Sequence, residues 1–218
     1  MRKMKIDAAI FDLDGTLVNS MPFWQGLADG FLSQFGKTSD NEIKKQLKPL
    51  TMSNAGRLLR EKYLPEYSYE QVDSMLNEYV YREYIEKIAA KHGVKNFLFA
   101  LKCKGVRMCV ATATDREYAT ALLDRLHMLD YFSVVLCCAD LKTTKNEPKI
   151  YDAAFDILGR SRETTYIFED SLHCIETAKK ANYNVVGVRD VHTANYEDKI
   201  IKLSDIFIKD YDDFRGMI

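Results

Sequence analysis

The 218 residues carry a net charge of −1, with 47% apolar and 29% charged side chains. That balance suits a soluble globular chain of one domain, or one core with a modest insertion. It offers no electrostatic footprint for nucleic acid or an anionic membrane, and no apolar stretch reaches the roughly 20 residues a membrane helix needs. Met1 to Lys5 is basic, but Asp7, Asp12 and Asp14 interrupt the apolar run after it, so no secretory signal peptide is expected. Five cysteines, an odd number without a C-x-x-C pair, point to free thiols in a reducing cytoplasm. His92, His127, His173 and His192 show no metal-ligand spacing, which argues against zinc.

In chain order, Lys5 to Phe11 reads as a first strand. From about Met21 to Lys91 no convincing strand appears, and Pro22, Pro49 and Pro65 punctuate the segment. Phe23, Leu27 and Phe31 mark one helix there, and Asn54 to Tyr63 another. A long helix is expected over Ser68 to Lys91, with Val72, Met75, Tyr79, Ile85 and Ile88 near its buried face. Beyond it, Val94, Phe97, Leu98 and Leu101 repeat at helical spacing, and Arg107 to Ala111 is a strand. Asp115 to Leu126 is a helix with Asp115 as its N-cap, and next comes a strand over Ser133 to Cys138. Pro148 to Leu158 opens with a helix-starting proline and closes at Gly159. A strand over Thr164 to Phe168, a helix over Ser171 to Ala181 capped by Ser171, and strands over Asn184 to Val188 and Asp205 to Lys209 complete the chain. Near-continuous apolar strands alternating with helices predict an α/β fold, a doubly wound parallel sheet, with an all-helical insertion after the first strand.

The densest chemistry is Asp12-Leu13-Asp14-Gly15-Thr16, directly after the first strand. Ligands of open parallel sheets bind outside the carboxyl ends of the strands. Residues two apart on an extended chain face one side, so two carboxylates meet at that edge. Their mutual repulsion is relieved by a hard divalent cation, and Mg²⁺ takes one or two carboxylates with phosphate oxygens and water. Gly15 permits the turn and a close approach of substrate. Three further strand ends carry matching groups: Thr112-Ala113-Thr114, then Lys145 three residues before Pro148, then Glu169-Asp170-Ser171. Singly these are turn, cap and solvated-surface residues. Together, and in this order, they supply what phosphoryl transfer needs.

The order D-x-D-G-T, Thr, K-x-x-P, E-D resembles the haloacid dehalogenase superfamily, from about Ile6 to Val188. Phe11 to Val18 and Phe168 to Ser171 are similar to the branch of phosphoglycolate-phosphatase-like and β-phosphoglucomutase-like enzymes. The resemblance implies a Rossmann-type catalytic core over 1–17 and 92–218 and a helical cap over 18–91. It implies Asp12 as nucleophile, Asp14 as general acid and base, Thr112 as donor to a phosphoryl oxygen, and Lys145 as neutraliser of charge. It further implies Mg²⁺ held by Asp12, Asp170, Glu169 and Asp14, the last through its backbone carbonyl, with Thr16 and Ala113 beside the substrate. The chain departs from the family in Ala113 where many relatives have Asn, in Thr144-Lys145-Asn146 where many have G-K-P, and in Asn19 where Asp is common.

Phosphatase and phosphosugar mutase share the nucleophile and differ in the acceptor of the phosphoryl group. The mutases carry a histidine in the first cap helix and a cap arginine for the distal phosphate. Here Trp24 stands at the histidine position, and Lys48 to Ser53 holds no arginine, although Arg57 and Arg60 are near. Hydrolysis of a small phosphorylated metabolite is therefore expected, by a monomer, with Trp24 a substrate contact and Phe23, Tyr79, Tyr81 and Tyr84 further aromatics of the cap. A non-catalytic phosphate-binding module is a reading of another class, and the presence of Asp12, Asp14, Lys145 and Asp170 weighs against it.

Overall fold

A computed structural model of the chain describes residues 5–47 and 50–214. Met1 to Met4, Lys48 and Pro49 lie outside the described residues. The strands are β1 (Ala8–Phe11), β2 (Arg107–Thr112), β3 (Val135–Cys137), β4 (Thr165–Glu169), β5 (Asn184–Val188) and β6 (Ile206–Ile208). The helices are α1 (Met21–Ser33), α2 (Asn41–Leu47), α3 (Met52–Tyr63), α4 (Tyr69–Glu86), α5 (Val94–Cys103), α6 (Arg116–Arg125), α7 (Lys149–Leu158), α8 (Leu172–Lys180), α9 (Glu197–Leu203) and α10 (Tyr211–Phe214).

All strand pairs are parallel, and the sheet runs β3-β2-β1-β4-β5-β6. This is the doubly wound sheet that the apolar runs predict. Every residue of β1 is buried, as a strand covered on both faces requires. Ala8 and Ile10 point to one face, where they join Cys109, Ala111, Ile150, Tyr151 and Ile175 in a core beneath α7 and α8. Phe11 points to the other face. Its ring stacks on Phe168 with centroids 4.5 Å apart, and Phe97 of α5 meets both rings from above. Tyr211 of α10 packs on Phe97 at 5.1 Å.

Contacts divide the chain into two compact units: one runs to Ser20 and resumes at Ile88, the other is Met21–Lys87. The second is all helical. Along α4 the buried stripe is Val72, Leu76, Val80 and Tyr84, not the expected Met75, Tyr79 and Ile85, which are half-buried. A strict four-residue spacing places the stripe one position away from the apolar residues read off the sequence. The helix opens with a capping box, Ser68 and Gln71 each accepting the other's backbone N–H. It ends at Glu86, short of the expected Lys91, because 89–91 pair with 17–19 inside the larger unit: the Asn19 N–H reaches the Ala89 carbonyl (2.8 Å) and the Lys91 N–H the Leu17 carbonyl (2.9 Å).

Other expectations differ in detail. Asp115 and Ser171 stand at N-cap positions, yet neither side chain caps its helix. The Ser171 hydroxyl instead meets the His173 ring at 2.8 Å. Gly159 closes α7 in the left-handed region (φ 56°) as expected. The short helices α2, α9 and α10 were not anticipated, since four to seven residues are too few to display a helical period. Among the described residues no helix is long and apolar enough to cross a membrane.

Phe97 is fully buried between Phe11, Phe168 and Tyr211. Phe97→Ala should therefore lower the unfolding free energy by about 3–5 kcal/mol through lost burial and a cavity. Urea denaturation checks this, and an unchanged midpoint would contradict the packing described.

Candidate active site

The strand order turns back at β1, with β2 and β3 on one side and β4 to β6 on the other, and ligands of open α/β sheets bind at such a switch point. Asp12 comes directly after β1, and its N–H bonds the Phe168 carbonyl on β4 at 3.0 Å. Glu169 is the last residue of β4, and Asp170 comes next. The carboxylates of Asp12, Glu169 and Asp170 are buried, each with an oxygen within 4.8 Å of the others. Lys145 arrives from the loop between β3 and α7. Its ammonium, also buried, donates to Asp12 Oδ1 and to Glu169 Oε1 (2.7 Å). The Tyr151 hydroxyl donates to Glu169 Oε1 (3.3 Å) and the Ser171 N–H to Oε2 (3.1 Å), so both Glu169 oxygens are engaged. Asp170 Oδ1 accepts from the Thr16 hydroxyl at 2.9 Å.

Burial pushes the Asp12 carboxyl up to about 7, against the pull of the Lys145 ammonium and with the help of the Glu169 and Asp14 charges. Burial also drives Asp170 well above the carboxylate range, and Glu169 and Asp12 add to the effect. Burial disfavours the charged form of Lys145, but Asp12 and Glu169 outweigh it and hold the ammonium protonated. Were all three carboxylates ionised, the single ammonium facing them would leave two negative charges without compensation. Buried charge without a partner is costly. A divalent cation with oxygen-donor preference matches both the charge deficit and the donor set, so these residues fit Mg²⁺.

The turn after β1 is tightly determined. Gly15 has φ +82°, and a Cβ there would fall 2.5–2.9 Å from the Asp170 carboxylate atoms. The close approach that requires glycine is thus to Asp170, where the sequence suggested substrate. The Gly15 N–H bonds the Val18 carbonyl at 3.0 Å. The Asp14 side chain leaves the three-carboxylate group: its Oδ2 accepts a bond from the Thr114 hydroxyl. The Thr114 N–H donates to the Thr112 hydroxyl oxygen at 3.0 Å, so one strand-end turn holds both Thr112, which is buried, and Asp14. Ala113 between them is exposed. In the helical unit the Trp24 indole N–H donates to the Tyr84 hydroxyl (3.0 Å), inside a group of rings with Phe23 and Tyr79. Arg60 spends its guanidinium on the Tyr67 and Pro65 carbonyls and the Tyr69 ring.

Sequence reasoning placed Thr114 at a strand end without pairing it to Asp14, and it missed three neighbours of the site: Tyr151 against Glu169, and the pair Lys91–Asp190. The Lys91 ammonium bonds the Gly15 carbonyl, the Arg189 carbonyl (2.7 Å) and Asp190 Oδ2 (2.9 Å). Asp190 stands two residues beyond β5, so the rule that strand ends carry function pointed to it. Lys91 had no comparable signal.

Residues 9–188 match the haloacid dehalogenase-like hydrolases, and the chain belongs to that family. Within the family it is a phosphatase. It is 27% identical over 191 residues to a phosphorylated carbohydrates phosphatase of Thermotoga maritima, covering 87% of this chain and 88% of that one. Two solved structures share the fold: CbbY from Rhodobacter sphaeroides in complex with phosphate (TM-score 0.77, 22% identity, 96% of each chain) and beta-phosphoglucomutase from Clostridium difficile (TM-score 0.71, 21% identity, 96% of this chain and 93% of that one).

The raised carboxyls give a test of metal fit. An acid whose folded pKa lies above its ordinary value near 3.8 stabilises the fold at low pH and loses that contribution as pH rises toward about 7. Mg²⁺ competes with those protons, so it should raise the melting temperature more at pH 8 than at pH 5.5. Thermal melts with Mg²⁺ or EDTA at both pH values measure this, and an equal shift at the two would contradict it.

Proposed function

We propose that this phosphatase hydrolyses a small phosphorylated metabolite with Mg²⁺, through a phosphoryl group carried on Asp12. The reading is supported above all by the convergence of Asp12, Lys145, Glu169 and Asp170 in one buried cluster at the carboxyl ends of β1 and β4. Asp12 would attack phosphorus, and the bond from phosphorus to the leaving oxygen breaks. Asp14, oriented by Thr114, would give that oxygen its proton. Water would then attack the acyl phosphate, lose a proton to Asp14, and release phosphate and the free Asp12 carboxylate. The Thr112 oxygen already accepts the Thr114 N–H, which leaves its O–H to donate to a phosphoryl oxygen. Lys145 would neutralise charge on Asp12 and the phosphoryl group, with Glu169 and Tyr151 holding it in place. Asp12 and Asp170 would hold Mg²⁺ together with the Asp14 carbonyl, Glu169 standing behind them. When bound, the cation supplies charge that offsets repulsion between nucleophile and substrate. The Met21–Lys87 unit would act as the cap that selects the leaving group, with Thr16 and Ala113 near the phosphoryl site.

Hydrolysis is preferred over transfer to a second sugar hydroxyl. Trp24 stands where the mutases carry a cap histidine and is engaged with Tyr84, and Arg60 is bound within its own unit rather than free for a distal phosphate. The kinship with a phosphorylated carbohydrates phosphatase favours sugar phosphates as the substrate class. The five free thiols suit a reducing cytoplasm, and a monomer suffices for the site as read.

Asp12→Asn should lower phosphate release by ~10³-fold or more while the protein still melts cooperatively. Appreciable residual turnover would remove Asp12 as nucleophile, and full rate in EDTA would remove the metal. A phosphate-release screen over sugar phosphates, tracking glucose 6-phosphate formed from β-glucose 1-phosphate in parallel, decides the acceptor. Isomer without phosphate would select the mutase.

A further inference from the structure

We infer that Lys91 is a positioning residue for the metal carboxylate Asp170, acting through the backbone of Gly15; this rests on the metal reading proposed above. Lys91 lies just past the helical unit, on the segment whose backbone pairs with residues 17–19. Its side chain is largely buried and runs to the catalytic turn, where the ammonium binds the carbonyls of Gly15 and Arg189 and the carboxylate of Asp190. Asp190 is itself buried, and its other oxygen takes the His192 N–H at 2.9 Å, so the carboxylate that orients Lys91 is held in turn.

Gly15 is thereby gripped on both sides. Its N–H is bound by the Val18 carbonyl and its C=O by Lys91, which together keep φ at +82°. Asp170 lies so close to Gly15 that not even a methyl group fits between them. A small rotation of the Gly15 peptide would therefore push on Asp170 or leave a gap behind it. Thr16, the next residue, holds Asp170 Oδ1, so the same rotation would also disturb that bond. The catalytic turn, the segment returning from the helical unit and the end of β5 are joined at one ammonium group. A tethered carbonyl of this kind orients a ligand without touching the cation, as the outer hydrogen-bond partners of metal sites do.

Charge and position predict opposite results when Lys91 is removed. Loss of a nearby positive charge alone would tighten cation binding. Loss of the tether would weaken it, by about 10-fold or more. The experiment is calorimetric titration of Mg²⁺ into the wild type, Lys91→Met, Asp190→Asn and the double variant, with kcat and KM for p-nitrophenyl phosphate measured alongside. Weaker Mg²⁺ binding and a lower kcat at near-constant KM are expected for Lys91→Met, with Lys91→Arg partly restoring both. The double variant should match Lys91→Met, because Asp190 acts through the lysine. Should Lys91→Met fail to fold by circular dichroism, Asp190→Asn carries the test, with the expected outcome of Mg²⁺ binding weakened by about 10-fold. Unchanged or tighter Mg²⁺ binding in the folded variants, beside normal wild-type binding and turnover, overturns this inference alone. Failure of the wild type to bind Mg²⁺ overturns the reading of the site, and this inference with it.

Discussion

The contact on which the site depends is the buried Lys145 ammonium between Asp12 and Glu169. Three carboxylates this close, nearly out of water, cannot all stay ionised on their own. Lys145 removes part of the repulsion and leaves an excess of negative charge that suits a divalent cation. The arrangement is costly to fold, and in the proposed mechanism a phosphoryl group would arrive where charge compensation is already assembled. Tyr151 and the Ser171 N–H complete the hydrogen bonds of Glu169, which lets that carboxylate act as an anchor rather than a loose charge.

Backbone geometry makes this assembly possible. β1 and β4 are neighbours in register, Phe11 opposite Phe168, so the residues after each strand emerge side by side. The stacked rings of Phe11 and Phe168 lie one residue beneath Asp12 and Glu169. Hydrophobic packing and charge placement are thus coupled: the aromatic layer sets the strand ends, and the strand ends set the carboxylates. The turn 12–18 then closes through its own backbone bonds, with Gly15 in a conformation that other residues rarely adopt.

Much of this was legible in the chain. Apolar, β-branched runs marked all six strands to within a few residues, because a strand buried on both faces needs continuous apolar sequence. The helical segment was evident from its lack of such runs. Details governed by rotation or by competing partners were not legible. The buried stripe of α4 is offset from the apparent one, and Ser171 prefers the His173 ring to its own helix end. Short helices left no period to read.

Sequence alone determined the sheet, the helical insertion and the order of the acidic, hydroxyl and basic groups, because local polarity patterns and strand-end motifs are written along the chain. Only the tertiary structure decided that Asp14 turns to Thr114, that Gly15 is pressed against Asp170, and that Lys91 and Asp190 stand behind the turn. These contacts join residues 76 to 155 positions apart, as Lys91 is from Gly15 and Asp170 is from Gly15. No periodicity or spacing encodes such a distance; it arises from the strand order that brings the turns after β1 and β4 together.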